Sequence, residues 1–452
     1  MNLDILTADV IGDVAIVLGA SALLGAVARR CGQPTVIGQI IAGILLGPSL
    51  LGRLPGHLTN RLFTHAAIPY ISIIAQLAVV IFMFTVGYEI DFRPLRGRGR
   101  AAPLVAASAL LVPLALGSGL AVGARHMFTA IGESHTDTRS FVLFMGVATS
   151  VTALPVLASI VRERGLAGTV AGTIATAAAG IMDVAAWVVL TAALVGTSAA
   201  GSRPWPVTVL LLVGFIVLML VVVRAALRWW IRRPGALLSS QVPLALVLAV
   251  ASAWVTSSLG LHPVFGAFLA GLTMPGRDDA ADAEVLRVME QAGGLLLPLF
   301  FVVTGLTMNV GALNGGDVVL LVVIVACAAL GKIGPAYGAA RLSRLDPRQS
   351  ATIAVLVNTR GLTELIALNI GLSAGIIDQR LFTILVLMAL ITTIATGPLI
   401  SAIGPLEGDP GASPRLREET AHADVDDLHK TGRYSATEWN QPRTDYGHQS
   451  RG

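Results

Sequence analysis

This chain has little charge. Of its 452 residues only 13% are Asp, Glu, Lys or Arg, about half the ~25% of a soluble domain. An ordinary soluble protein is thereby excluded. Lysine is nearly missing: Lys332 and Lys430 are the only two. The remaining basic residues are arginines, mostly in short loops, where they act as topology signals. The net charge of +4 therefore does not describe a nucleic-acid-binding surface, and no nucleic-acid partner is expected. Cysteine is limited to Cys31 and Cys327, too few and too far apart for a disulfide framework or a metal site; both read as buried thiols. The apolar stretches hold no His/Glu zinc motif and no nucleophile–base constellation, which argues against an intramembrane enzyme and implies no metal or other cofactor. The N-terminus lacks a basic region and a small-residue cleavage site, so its first apolar run reads as a retained helix rather than a signal peptide.

What the chain has is apolar length. Hydrophobic residues make up 54% of it, and stretches near the ~20 residues needed to cross ~30 Å of hydrocarbon recur along it. They fall near 11–29, 35–52, 68–90, 101–124, 139–161, 168–196, 205–227, 241–259, 262–275, 292–311, 317–340, 350–373 and 381–403. The pattern predicts an all-α polytopic membrane protein of about thirteen transmembrane helices, the ninth of them short. With the N-terminus outside, seventeen loop arginines fall on the cytoplasmic side and six on the other. That bias supports an odd number of spans and a cytoplasmic C-terminus. Residues 1–403 form the expected membrane domain, in contact with lipid. Residues 404–452 turn polar, mixed in charge and poor in aliphatics, and read as a disordered cytoplasmic tail.

An internal symmetry is visible too. The fifth span carries "GVATSVTALPVLASIV" and the twelfth "AVLVNTRGLTELIALNIGL". Both place polar or helix-breaking residues at mid-span, and they lie seven spans apart. Six spans, a linker span and six more fit an inverted-repeat transporter, whose interrupted helices occupy corresponding positions of its two halves.

Four ionisable groups lie deep in the apolar spans: Asp183, Lys332, Arg360 and Glu364. Each costs roughly 2.5–3.5 kcal/mol to insert. Arg360 and Glu364 are four apart and read first as an ion pair that holds an interrupted helix. Asp183, in "AAAGIMDVAAW", has no basic residue within a turn. As a structural group it would be a protonated aspartate stitching two helices. As a functional one it is a carboxyl that trades a proton for a cation, since desolvation penalises its charged form. Such a cation needs oxygen ligands, and "TSVTALP" can supply them through Ser150, Thr152 and the carbonyls left free where Pro155 removes a donor. The glycines of "GQIIAGILLGPSLLG" read as close helix packing with a break at Pro48. Glu89 and Asp91, ending "TVGYEIDF", read as interfacial acids.

Taken in order, "GQIIAGILLGPSLLG", "FTVGYEID", "SVTALPVLASIV", "AAAGIMDVAAW", "VFGAFLAGLTMP", "LFFVVTGLTMNVG", "GKIGPAYGAARL" and "NTRGLTELIALNIGL" resemble the monovalent cation:proton antiporter-2 family, in its Kef-type and plant cation/proton exchanger flavour. The resemblance covers about residues 30–400. It implies a thirteen-helix inverted-repeat fold with crossed broken helices five and twelve, and a homodimer. Asp183 matches the family's ion-binding aspartate and Lys332 the basic residue facing it. Ser150 and Thr152 fall in the broken fifth helix, and Asn358, Thr359, Arg360 and Glu364 in the twelfth. Two departures stand out. The residue before the key aspartate is usually polar or acidic in the family, and here it is Met182. Kef-type proteins also carry a nucleotide-binding regulatory domain, for which residues 404–452 are too few and hold no GxGxxG.

The expectation is a secondary antiporter of the bacterial plasma membrane, exchanging K⁺ or Na⁺ for protons at Asp183 by alternating access. Without an acid at position 182 the exchange is expected to be electroneutral. A proton-coupled exporter of a small organic cation on the same fold, and a non-transporting membrane sensor, remain alternatives.

Overall fold

The computed structural model describes residues 3–53, 63–64, 66–89, 100–123, 138–166, 168–194, 205–231, 238–259, 262–274 and 280–404. The expected tail, from Pro405 onward, and Asp91 lie outside the described residues. Among those residues every regular element is helical, as hydrocarbon demands of a backbone that must satisfy its own polar groups.

The first half comprises α1 (Leu3–Arg30), α2 (Thr35–Leu46), α3 (Ile68–Glu89), α4 (Ala101–Gly123), α5 (Thr138–Ser150), α6 (Leu154–Glu163) and α7 (Val170–Leu194). A linker span follows as α8 (Trp205–Val217), a π-helical turn (Leu218–Val223) and α9 (Arg224–Ile231). The second half is α10 (Leu238–Ser258), α11 (Pro263–Thr273), α12 (Ala280–Leu306), α13 (Gly315–Leu342), α14 (Pro347–Val357), α15 (Leu362–Ser373) and α16 (Gln379–Ile403). Twelve segments are long and apolar enough to cross a bilayer, with α5/α6 and α14/α15 each counted once. The thirteenth is the short α11 at 11 residues. Its brevity is tolerated because nearly all of it is buried against α3 and α10 rather than exposed to lipid. His262 and Pro263 open it, the His262 ring accepting from Val264 N–H and proline occupying a first-turn position that has no use for a donor.

Packing sorts the helices into two bundles. One contains α1, α2, α3, the linker span, α10, α11 and α12; the other contains α4–α7 and α13–α16. Helices of different bundles share no extensive interface. Each sequence half thus gives its first three spans to one bundle and its last three to the other, the division that the seven-span repeat predicts.

Glycine sets how closely the first bundle packs. A Cβ on Gly43 of α2 would lie 2.3 Å from Val302 O and 2.7 Å from Gly305 Cα on α12, and one on Gly87 of α3 2.1 Å from Phe268 O on α11. The glycine-rich motif therefore serves helix contact, and α2 ends at Leu46, just before Pro48. The cysteines differ from expectation: Cys31 is exposed, at the turn closing α1, and Cys327 is half-buried on α13.

Candidate functional site

Both interrupted spans break where the sequence placed polar residues. Val151–Ala153 separate α5 from α6, and Asn358–Gly361 separate α14 from α15. The two breaks meet. Ala153 N–H donates to Thr359 O at 3.1 Å, Thr152 Oγ1 to Val357 O at 2.8 Å and Thr363 Oγ1 to Thr152 O at 3.3 Å. Two half-helix N-termini and two C-termini thus converge at one buried crossing.

A helix end leaves its last four carbonyls without partners. At the end of α5 these are Ala148, Thr149, Ser150 and the flanking Val151; Pro155 has no N–H to offer Val151 O, and the Ala153 N–H that would reach Thr149 O is spent on Thr359. Two side-chain cations take their place. Arg360 donates to Ala148 O at 2.9 Å and Thr149 O at 2.5 Å. The Lys332 ammonium, from α13, donates to Ser150 O and Val151 O, both at 2.6 Å. Positive charge there also answers the negative end of the α5 dipole. The carbonyls that the sequence offered to a transported ion are accordingly occupied by the protein's own cations.

Among the described residues Arg360 is the largest side chain with full burial. Its third partner is Glu364, at 2.9 Å with both groups inaccessible. The pair does not lie along a helix face: Arg360 sits in the break and Glu364 in the first turn of α15. Thr393 of α16 braces the break further, accepting from Arg360 N–H at 3.1 Å and donating to Arg360 O at 2.7 Å.

Asp183 stands on α7 beside this crossing, with no accessible surface. Neither carboxyl oxygen accepts a hydrogen bond of ordinary geometry. Its nearest electrostatic neighbours are the Leu154 N–H, which opens α6, and the Lys332 ammonium. Leu154 N–H is the backbone donor directed at the carboxyl, and Lys332 forms no ion pair with Asp183 within 4.0 Å. The arrangement follows helix-dipole logic: cations at the α5 C-terminus, the acid at the α6 N-terminus.

A small pocket opens on Asp183. Ala186, Trp187 and Leu190 line it with Asp183, one stripe of α7 at i, i+3, i+4 and i+7. Val147 and Val151 face them from the α5 span, Thr363 and Ala367 from α15. Ser150 and Thr152 do not line it. Ser150 Oγ donates back to Val147 O at 3.1 Å, and Thr152 Oγ1 is held by Val357 O. Met182 is buried against Thr152, with its sulfur 3.8 Å from Oγ1. Asn358 is buried with its Oδ1 unpartnered, and the Thr359 hydroxyl turns back to Leu356 O. A second narrow crevice runs between Pro34–Ile40 of the α2 region and Arg360, Leu365 and Thr393.

Sequence reading missed two groups. Thr363 gives no signal in the sequence, because a threonine in an apolar helix is ordinary there; only the fold brings it to the Asp183 pocket. Asp13 on α1 is 3% exposed, away from the crossing, and was legible as an acid within the first span.

The comparisons follow this geometry. Residues 18–404 match the family of transmembrane sodium/hydrogen exchangers. Cation/H(+) antiporter 20 of Arabidopsis thaliana is 36% identical over 86% of the chain and 48% of its own length. K(+)/H(+) antiporter 1 of Saccharomyces cerevisiae is 34% identical over 82% of the chain and 45% of its own length. The chain thus spans about half the length of these relatives. It spans 97% of the Na(+)/H(+) antiporter NhaS4 of Synechocystis, at 32% identity over 88% of the chain. In fold it is similar to the archaeal sodium proton antiporter MjNhaP1 of Methanocaldococcus jannaschii, with a TM-score of 0.63 at 17% identity over 88% of this chain and 100% of that one. Broken helices crossing beside a buried aspartate, in a chain matched almost from end to end of its membrane region, carry one conclusion: this protein belongs to the transmembrane sodium/hydrogen exchanger family.

Proposed function

We propose that the protein is a secondary antiporter that exchanges a monovalent cation, Na⁺ or K⁺, for a proton across a bacterial plasma membrane. In this reading the N-terminus lies outside and the protein works as a homodimer. Asp183 alone carries the cargo, and the two bundles rock about it to give alternating access. The observation that carries the reading is Asp183 itself, a carboxyl with no accessible surface and no closed hydrogen bond, set in a small pocket beside the crossing. An intramembrane acid so placed marks an ion or proton pathway. The relatives named as Na(+)/H(+) and K(+)/H(+) antiporters support the cargo class. The thin contact between bundles supports their relative motion. So do the two pockets, for the Asp183 pocket extends along α7 towards Leu190 and the Arg360 crevice towards Pro34, on the opposite membrane face by connectivity.

The charges near the crossing argue for one-for-one exchange. With one titrating acid, the site carries the same charge with a cation on Asp183⁻ as with neutral Asp183-H. Met182 supplies no second acid, and Lys332 is fixed to two carbonyls rather than free to shuttle a proton. Liposomes with opposed cation and pH gradients test this. Equal gradients should give no net flux at any imposed potential; flux that changes sign with potential would make the exchange electrogenic.

A further inference from the structure

The carboxyl of Asp183 cannot by itself replace the hydration shell of a monovalent cation, so the pocket must offer further oxygen. Its described lining is apolar except for Asp183 and Thr363. Thr363 stands in the first turn of α15, 2% exposed. Its hydroxyl donates one long hydrogen bond, 3.3 Å to Thr152 O, and receives none from the protein, which leaves its lone pairs uncommitted. The hydroxyls of Ser150 and Thr152 are outside the pocket lining.

We propose that the Thr363 hydroxyl is the second side-chain oxygen that receives the transported cation at Asp183, and that the Asp183–Thr363 gap sets the size preference of the site. The two oxygens come from different helices, α7 and α15, that meet at one pocket. A cation too small for the gap touches one oxygen well and the other poorly, whereas one of matching radius is held by both. The hydroxyl is neutral, so it contributes to cation binding without altering the charge balance of exchange. Leucine or valine there would leave Asp183 as the sole side-chain oxygen in an apolar pocket.

The inference rests on the exchange reading, and the experiment separates the two. Full-length protein in liposomes is assayed for proton flux driven by Li⁺, Na⁺, K⁺ and Rb⁺, as wild type, Thr363→Val and Thr363→Ser. Valine keeps the shape and removes the oxygen. It should raise the half-saturating concentration of the preferred cation about tenfold, equivalent to roughly 1.4 kcal/mol, and flatten the order among the four. Serine keeps the oxygen and should retain that order. A hydroxyl that merely braces the break would change maximal rate or stability and leave the order intact. Where valine disturbs folding, Thr363→Ala replaces it, and the rise in melting temperature on adding the same cations in detergent gives binding directly. Wild-type flux with an unchanged order in the valine or alanine variant overturns the role of Thr363 and leaves exchange standing. Absence of any cation-dependent flux or binding in the wild type overturns both.

Discussion

Asp183 and Lys332 are an acid and a base that meet opposite needs. Asp183 has no closed hydrogen bond, and its chemistry resides in that lack, because a proton or a cation is the partner it takes in turn. Asp183→Asn should therefore fold normally and reduce cation-driven proton flux to the level of empty liposomes. An amide can neither release the proton nor balance the cation, and substantial flux in a well-folded variant would remove Asp183 from the mechanism. Competition for one carboxyl has a pH signature with a definite sign: lowering pH on the loading side should raise the half-saturating cation concentration. An affinity that stays flat from pH 8 down to about pH 6 would mean separate proton and cation sites. Lys332 is a structural cation first. Lys332→Ala strips the donors from Ser150 O and Val151 O, and a buried acceptor left unsatisfied costs about 1–3 kcal/mol. Its melting temperature in detergent should fall by several degrees even before transport is measured; an unchanged value would show that the α5 terminus does not depend on it.

At the scale of elements, the sequence exposes whatever a single helix must declare. The apolar runs, the broken fifth and twelfth spans and the short ninth are local properties, since each follows from length, proline or polar insertion within one stretch. Partnerships between helices are not local. Arg360 and Glu364 read as a pair because they are four apart, yet nothing in the chain says that Arg360 and Lys332 share out the carbonyls at the end of α5, 181 to 212 positions away. Thr363 is silent for the same reason. Glycine falls between the two cases: its density in α2 signals close packing, and the structure adds that the partner is α12. That contact gives its own prediction. A Cβ on Gly305 would lie 2.6 Å from Ile40 O and 2.7 Å from Gly43 Cα; both are backbone, so α2 and α12 must separate. Gly305→Ala should destabilise by about 1–3 kcal/mol. Gly294, on the same helix with nothing within 4 Å of its Cβ position, should tolerate alanine or gain from it. Equal melting temperatures for the two variants would show that the α2–α12 contact is looser than described.

For the whole molecule the decisive question is whether the two bundles move as bodies. Among the described residues two side-chain hydrogen bonds cross between them. Gln33 Nε2, in the α1–α2 turn, donates to Ile394 O of α16 at 3.4 Å, and Asn369 Nδ2 of α15 donates to Thr304 Oγ1 of α12 at 3.1 Å. Chain connectivity puts them on opposite membrane faces, because α1 ends on one side and α12 and α15 end on the other. Rocking about Asp183 must open one face while closing the other, so the Asn369–Thr304 contact has to break in every transport cycle. With Cys31 and Cys327 replaced by serine, Thr304→Cys and Asn369→Cys joined by a short methanethiosulfonate cross-linker should abolish exchange, and a reductant should restore it. A pair within one bundle provides the control. Ser49 Oγ accepts from Val310 N–H at 3.1 Å, and both residues belong to the α2–α12 side, so Ser49→Cys and Val310→Cys cross-linked in the same way should leave exchange largely intact. Full activity in the linked Thr304–Asn369 variant would mean that this face never opens, and that the ion reaches Asp183 without the bundles parting there.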